Sequence, residues 1–228
     1  MDKDTCIIFD FDGTLYPIIG FDSEQLLIHC LAQEADEAYR SEAERFIADD
    51  QAGCFLLEDF HLRYAALARR ATPSHIDEVA RRLAGLLDTR DREALARLKE
   101  ESGADFVILS CGTENLAEAF LDHLGIRDLF SAIRAKRLIF TDGGEATVRV
   151  DIHTPEAKRR AVEELRDRYT TIVACGDGPT DIPMLEAADL GLVIDWSGSN
   201  ESGPFETHTT LPSLCSAIET YLARAREA

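Results

Sequence analysis

The chain is predicted to fold as a doubly wound parallel α/β sheet with a block of helices inserted after its first strand. Three observations carry that prediction. Short continuous apolar runs at 6–9, 106–109 and 171–175 have the length and composition of strands buried on both faces. Helical patterns alternate with these runs in the second half of the chain, as crossover units of a parallel sheet require. Between residues 21 and 87 the sequence reads as helices without strands.

The first strand ends abruptly in Asp10-Phe11-Asp12-Gly13-Thr14. Period-2 geometry carried past its end lets Asp10 and Asp12 approach one spot, and Gly13 permits a tight turn beside them. Asp-Gly is also an ordinary hairpin turn, but residues 15–20 do not alternate and are broken by Pro17 and Gly20. Asp22-Ser23 reads as the N-cap of a helix over 24–40, on which Leu27, Leu31 and Ala35 share a face. Further helices are expected over 41–48, 55–70 and 73–87, the last starting near Thr72 or Ser74. The predicted division is a core domain of 1–16 and 88–228 and a helical cap over 17–87, which packs as a bundle beside the core or lies over its site as a lid.

Residues 92–101 read as a helix with Gly103 at its left-handed end. The strand over 106–109 ends in Ser110-Cys111-Gly112-Thr113, and a helix over 115–124 closes at Gly125. Residues 133–150 read as a strand followed by a hairpin, 138–141 and 147–150, around Asp142-Gly143-Gly144. Thr154 and Pro155 are the N-cap and first position of a long helix. The strand over 171–175 runs into Gly176-Asp177-Gly178-Pro179-Thr180-Asp181, followed by a helix through 184–188 and a last strand over 190–194. The polar stretch 195–210 is read as a loop, with Trp196 either closing over the site or lying in a surface segment, and 211–226 as a closing helix.

Composition narrows the classes of function. Of the 228 residues, 45% are hydrophobic, as in soluble globular chains. No apolar run approaches the roughly 20 residues that span a bilayer, and the N-terminal residues enter a strand without room for a signal peptide. The formal net charge of −19 carries no Lys/Arg block, which argues against nucleic acid as a partner and leaves an anionic ligand to local cations. Six scattered cysteines without Cys-x-x-Cys spacing suit a reducing cytoplasm, and the six histidines form no zinc motif.

In a doubly wound sheet, sites form beyond the carboxyl ends of the strands. The clusters 10–14, 110–113 and 176–181 all follow strands at that end and are expected to converge. Asp10, Asp12, Asp177 and Asp181 together repel one another unless a hard cation such as Mg2+ offsets their charge. Ser110, with the backbone N–H groups of Cys111 and Gly112, offers donors to an oxyanion, and Lys158 sits in the first turn of its helix, where an anion is favoured. Carboxylates, a metal, a hydroxyl and a lysine make a phosphoryl-transfer set. Singly, each has a plainer role: Ser110 in a turn, Lys158 on a solvated helix face, Asp181 as a helix cap.

The order and spacing of Asp10-Phe11-Asp12-Gly13-Thr14, Ser110, Lys158 and Gly176-Asp177-Gly178-Pro179-Thr180-Asp181 resemble the four motifs of the haloacid dehalogenase superfamily, and the helical block after the first motif resembles its cap insertion. The hairpin before the lysine helix is similar to that of the phosphoserine phosphatase-like branch. The resemblance implies a Rossmann-like core and a phosphomonoester hydrolase acting on a small phosphorylated metabolite. It also implies roles. Asp10 becomes the nucleophile and Asp12 the acid and base. Mg2+ is held by Asp10, the carbonyl of Asp12 and Asp177, with Asp181 acting on its water shell. Ser110 and Lys158 hold phosphoryl oxygens, joined by Gly13, Thr14, Cys111 and Gly112 around the phosphate. An aspartate at position 12 fits phosphate transfer and disfavours dehalogenation.

Three departures leave the substrate open: residues 15–21 hold no acid, Cys111 stands where the family has glycine, and Thr180 where it has asparagine. Tyr16, Ile18, Ile19 and Phe21 suggest a partly apolar entrance, and Arg40, Arg45, His61 and Arg63 are cap residues that either read a substrate or lie on the surface. Two rivals share the scaffold: a phosphotransferase or mutase with the same aspartyl-phosphate, and a catalytically idle binding protein.

Overall fold

The computed structural model describes residues 4–55, 57–141, 144–199 and 203–227. Strand β1 (Thr5–Phe9) is followed by helices α1 (Ser23–Gln33), α2 (Glu37–Gln51), α3 (Leu57–Ala68) and α4 (Pro73–Ala84). Helix α5 (Thr89–Ser102) then leads into β2 (Asp105–Thr113), α6 (Glu114–Leu124) and β3 (Phe130–Phe140). The chain closes with β4 (Ala146–Arg149), α7 (Pro155–Leu165), β5 (Thr171–Gly176), α8 (Ile182–Ala187), β6 (Leu190–Ile194), β7 (Glu206–His208) and α9 (Leu211–Glu227).

Among the described residues the strands form one seven-stranded sheet in the order β4-β3-β2-β1-β5-β6-β7. All neighbours pair in parallel except β3 with β4 at one edge. The alternation of the central strands explains why the sheet is covered twice. Ile7, Phe9, Phe106, Ile108, Val173 and Cys175 point into one apolar cluster, while Cys6, Ile8, Val107, Leu109, Ile172 and Ala174 point into another. The first cluster reaches beyond the sheet: Leu27, Phe46, Tyr64 and Val79 of the inserted helices belong to it together with Phe120 of α6. The second is closed by α7 and α8 through Ala161, Val162 and Met184. No described helix is long and apolar enough to cross a membrane.

The chain leaves β1 for β2 and β3 on one side, then returns as β5 on the other, so the strand order reverses at β1. That reversal opens a crevice at the carboxyl end of β1.

Several elements differ from the sequence reading. The helix expected over 24–40 is two helices, because Asp36 accepts a hydrogen bond from Tyr39 N and starts α2 there. The expected strand over 106–109 continues through Thr113, so Ser110 and its neighbours lie within the end of β2 rather than after it. The strand and first hairpin arm expected over 133–141 are one strand, β3, and the Asp142-Gly143 turn lies outside the described residues. The stretch read as a loop over 195–210 contains β7, which pairs with β6 through Leu192, Val193 and Ile194.

Candidate active site

The end of β1 delivers the first two carboxylates in different directions. Asp10 is held by its own N–H, which donates to Cys175 O of β5 at 2.9 Å. Its carboxylate is 7% exposed and accepts from Lys158 Nζ at 2.7 Å. The same ammonium donates to Asp181 Oδ1 at 2.6 Å. Lys158 reaches this spot because Thr154 caps α7 and Pro155 opens it, placing the lysine in the first turn. Asp12 turns the other way, toward the start of α1. Its Oδ1 accepts from Ser23 N at 2.7 Å and from the Tyr16 hydroxyl, and its Oδ2 accepts from Ser23 Oγ at 3.1 Å. A helix N-terminus is a favourable place for an anion.

Gly13 is required by two features at once. Its φ is +74°, and a Cβ there would fall on the Asp177 carboxylate. Gly112 likewise lets β2 pass close to Asp12, since a Cβ would lie 2.6 Å from Asp12 Oδ2. Ser110 Oγ accepts from Gly112 N at 3.0 Å, which leaves the serine hydroxyl hydrogen available to a ligand. Asp181 Oδ2 accepts from Asp177 N and Gly178 N, at 3.0 and 3.2 Å, and fixes the loop after β5. Trp196 Nε1 donates to Gly13 O at 2.9 Å and ties the segment after β6 to the turn after β1.

Carboxylate oxygens of Asp10, Asp177 and Asp181 lie within 4.8 Å of one another. Burial, then repulsion by Asp181, pushes Asp10 up to about 7 despite Lys158. Burial, then repulsion by Asp10 and Asp181, pushes Asp177 up to about 8. Lys158 is driven up by the same carboxylates, which outweigh the cost of burying its charge. An all-oxygen donor set that is short of positive charge fits a hard divalent cation.

A cavity of about 320 Å3 opens above this floor. Of the predicted residues, Asp10, Asp12, Ser110, Cys111, Gly112, Lys158 and Asp177 line it. Asp181 stands behind Lys158 with its side chain fully buried. Gly13 shapes the approach of Asp177, whereas Thr14 is fully buried away from the lining, its hydroxyl without a partner among the described residues. Burial first of all pushes the Cys111 thiol up to about 11, so it is not a thiolate at neutral pH.

The inserted helices supply the opposite wall. Of the cap residues singled out in sequence, His61 and Ile18 reach the cavity. Arg40 and Arg45 pair with Glu37 and Glu42, and Arg63 with Asp49 and Glu42, all away from the lining. Tyr16 is buried edge-on against Phe11. Sequence reasoning missed Glu24, Asp50, Phe60, Lys136 and His153, and read Asp22 only as a helix cap. The one signal for Lys136 was a lysine inside an otherwise strand-like run; Glu24 carried none, since a glutamate in a first helical turn is ordinary.

A family model of the haloacid dehalogenase-like hydrolases matches residues 7–186, and the chain belongs to that family. In sequence it is 30% identical over 117 residues to a copper-transporting P-type ATPase of Rhizobium leguminosarum bv. viciae, a stretch covering 49% of this chain and 12% of the ATPase. The chain thus spans 10–12% of the length of the curated relatives it matches. Its fold is that of a phosphoserine phosphatase from T. onnurineus, with a TM-score of 0.67, 23% identity, and coverage of 96% of this chain and 98% of that one. It is also similar to cytosolic 5'-nucleotidase IIIB bound to cytidine, with a TM-score of 0.70, 15% identity, and coverage of 100% and 88%. At these identities the structural likeness concerns the fold.

Proposed function

We propose that the protein is a Mg2+-dependent phosphomonoesterase that hydrolyses a small phosphorylated metabolite through phosphorylated Asp10. The observation that carries this reading is the separation of two carboxylates only two residues apart. Asp10 is pinned on the floor by Lys158, while Asp12 is held by Ser23 and Tyr16. Neighbouring carboxylates in different environments can take different roles.

Asp10 attacks phosphorus with one carboxylate oxygen, and the bond from phosphorus to the leaving oxygen breaks as Asp12 gives that oxygen its proton. Asp12 then takes a proton from a water, which attacks phosphorus, releases inorganic phosphate and restores Asp10. Ser110 donates its free hydroxyl hydrogen to a phosphoryl oxygen, and Lys158 offsets charge at Asp10 as it develops. Asp10, Asp177 and the backbone carbonyl of Asp12 would hold Mg2+, with Asp181 behind them. When bound, the ion neutralises phosphoryl oxygens and orients them for in-line displacement.

Residues 17–87 act as a cap on a core of 1–16 and 88–228. Support for this comes from Asp22, Glu24, Asp50, Phe60 and His61, which supply the wall facing the aspartates. Phosphate release from a panel of phosphomonoesters, with and without Mg2+, tests the reading against Asp10→Asn protein. Metal-dependent release that falls about a thousandfold or more in the variant is expected. Near-normal turnover by Asp10→Asn would overturn it.

A further inference from the structure

Ser23 aims Asp12, and something in turn has to aim Ser23. The residue opens α1, which the chain reaches from β1 through a loop holding Pro17 and Gly20. Ser23 donates to Asp12 from both its backbone N–H and its hydroxyl, so the carboxylate follows wherever the first turn of α1 sits.

The next residue, Glu24, ties that turn to the sheet. Thr113 Oγ1 of β2 donates to Glu24 Oε1 at 2.5 Å, and Lys136 Nζ of β3 donates to Oε2 at 2.7 Å. The threonine hydrogen is spent on Glu24, so the Tyr64 hydroxyl of α3 is the donor in its 2.8 Å bond to Thr113 Oγ1. Lys136 Nζ also lies 4.9 and 5.1 Å from the ring centres of Phe60 and Tyr64. Glu24, Tyr64, Thr113 and Lys136 are all buried. Neighbouring residues match in pairs along the end of β2. Glu24 is bonded to Thr113, and Ser23 lies against Gly112, where an added Cβ would come 2.6 Å from Asp12 Oδ2 and 3.7 Å from Ser23 Oγ.

Stability alone does not call for charges here, since apolar side chains of similar volume often replace a buried ion pair without loss. Apolar packing, however, lets a helix end slide or turn by fractions of an ångström. A satisfied network of directional bonds from two strands holds it in one place.

We propose that Glu24, gripped by Thr113 and Lys136, is a positioning residue that holds Ser23, and through it Asp12, in place for proton transfer. The inference rests on the phosphomonoesterase reading and adds to it residues outside the reacting set. In that reading the bond from Asp10 to phosphorus forms, the bond to the leaving oxygen breaks, and Asp12 gives that oxygen its proton. A poor leaving group such as phenol needs the proton, whereas p-nitrophenolate leaves without it. Misplacing Asp12 therefore slows attack on phenyl phosphate and spares p-nitrophenyl phosphate.

With enzyme in excess over ester and Mg2+ present, first-turnover release of phenol or p-nitrophenol reports the attack by Asp10 alone. Two charge-free variants differ only at position 24. Glu24→Leu/Lys136→Met removes the bonds and should lower the ratio of phenyl to p-nitrophenyl rates about tenfold or more. Glu24→Gln/Lys136→Met keeps an acceptor for Thr113 and should hold the ratio within about threefold of the unaltered protein. Adding Asp12→Asn to both should abolish the difference between them, because the network acts through that carboxylate. Each ratio is taken within one protein, so loss of folded enzyme cancels. Thr113→Val, which exchanges only a hydroxyl for a methyl group, should lower the ratio in the same direction and serves if Glu24→Leu/Lys136→Met does not fold. No release from p-nitrophenyl phosphate by the unaltered protein would overturn the phosphomonoesterase reading. Release with one ratio in all these proteins would overturn this inference alone, as would a difference that persists beside Asp12→Asn.

Discussion

Replacing Lys136 with methionine removes one member of an ion pair almost wholly out of water, the lysine side chain being 1% exposed and that of Glu24 5%. In the intact protein Glu24 accepts from Lys136 at 2.7 Å and from Thr113 Oγ1 at 2.5 Å. Burial pushes the Glu24 carboxyl up, and Lys136 and then Thr113 oppose that push. Without the lysine, the carboxylate either stays charged, at a cost of about 3–5 kcal/mol, or takes a proton. Protonation at pH 7 costs about 3.7 kcal/mol for a carboxyl that ordinarily titrates near 4.3. This second route limits the loss, so Lys136→Met should destabilise the protein by about 3–4 kcal/mol at pH 7.

The limit falls to about 1 kcal/mol at pH 5, where less than about one pH unit separates the solution from the ordinary value. The sign follows from proton counting. In the variant the Glu24 pKa is higher folded than unfolded, so the folded state binds more protons in that window and stability is lost as pH rises through it. Urea unfolding of both proteins at pH 5 and pH 7 measures the two deficits. The double variant Glu24→Gln/Lys136→Met, which buries no charge, should recover most of the loss at pH 7. A deficit independent of pH, or a double variant less stable than Lys136→Met, would refute the reasoning.

Three further outcomes concern the metal. Gly13→Ala puts a methyl group onto the Asp177 carboxylate at a φ of +74°, and Mg2+ affinity should drop about 10–100-fold in a calorimetric titration; unchanged affinity would show that Asp177 does not depend on that approach. Asp10 near 7 and Asp177 near 8 in the metal-free protein mean that Mg2+ has to displace protons, so its affinity should rise between pH 6 and 8 with measurable proton release. The raised carboxyls also make metal-free stability fall as pH rises through about 4 to 8, and added Mg2+ should offset that fall in thermal unfolding.

The floor of the site was legible because its chemistry lies in short strings. Asp10 and Asp12 flank one residue, Asp177 and Asp181 bracket one turn, and each string abuts an apolar run that marks a buried strand. Parallel pairing of β1 with β2 and β5 then brings the strings together without further information. The opposite wall was not legible. Glu24 and Lys136 are 112 residues apart, and either alone reads as a solvated charge. His61 was one candidate among several cap residues, and only the packing of α3 distinguishes it from Arg63, two residues away. Strand β7 escaped because Glu206-Thr207-His208 has no apolar run; its pairing depends on β6 being at hand. The break between α1 and α2 escaped because Leu31 and Ala35 keep the apolar spacing across it, while the cap at Asp36 decides the backbone.

Trp196 is the chain's single tryptophan, and its indole N–H rests on the carbonyl of Gly13, one residue from Asp12. Its emission therefore comes from a single known place beside the reacting groups, with no second indole to subtract. Any event that shifts the turn at Gly13 changes the polarity and hydrogen bonding around that fluorophore. The protein carries its own optical probe, able to follow the filling of its cavity in stopped flow without a label or a coupled enzyme.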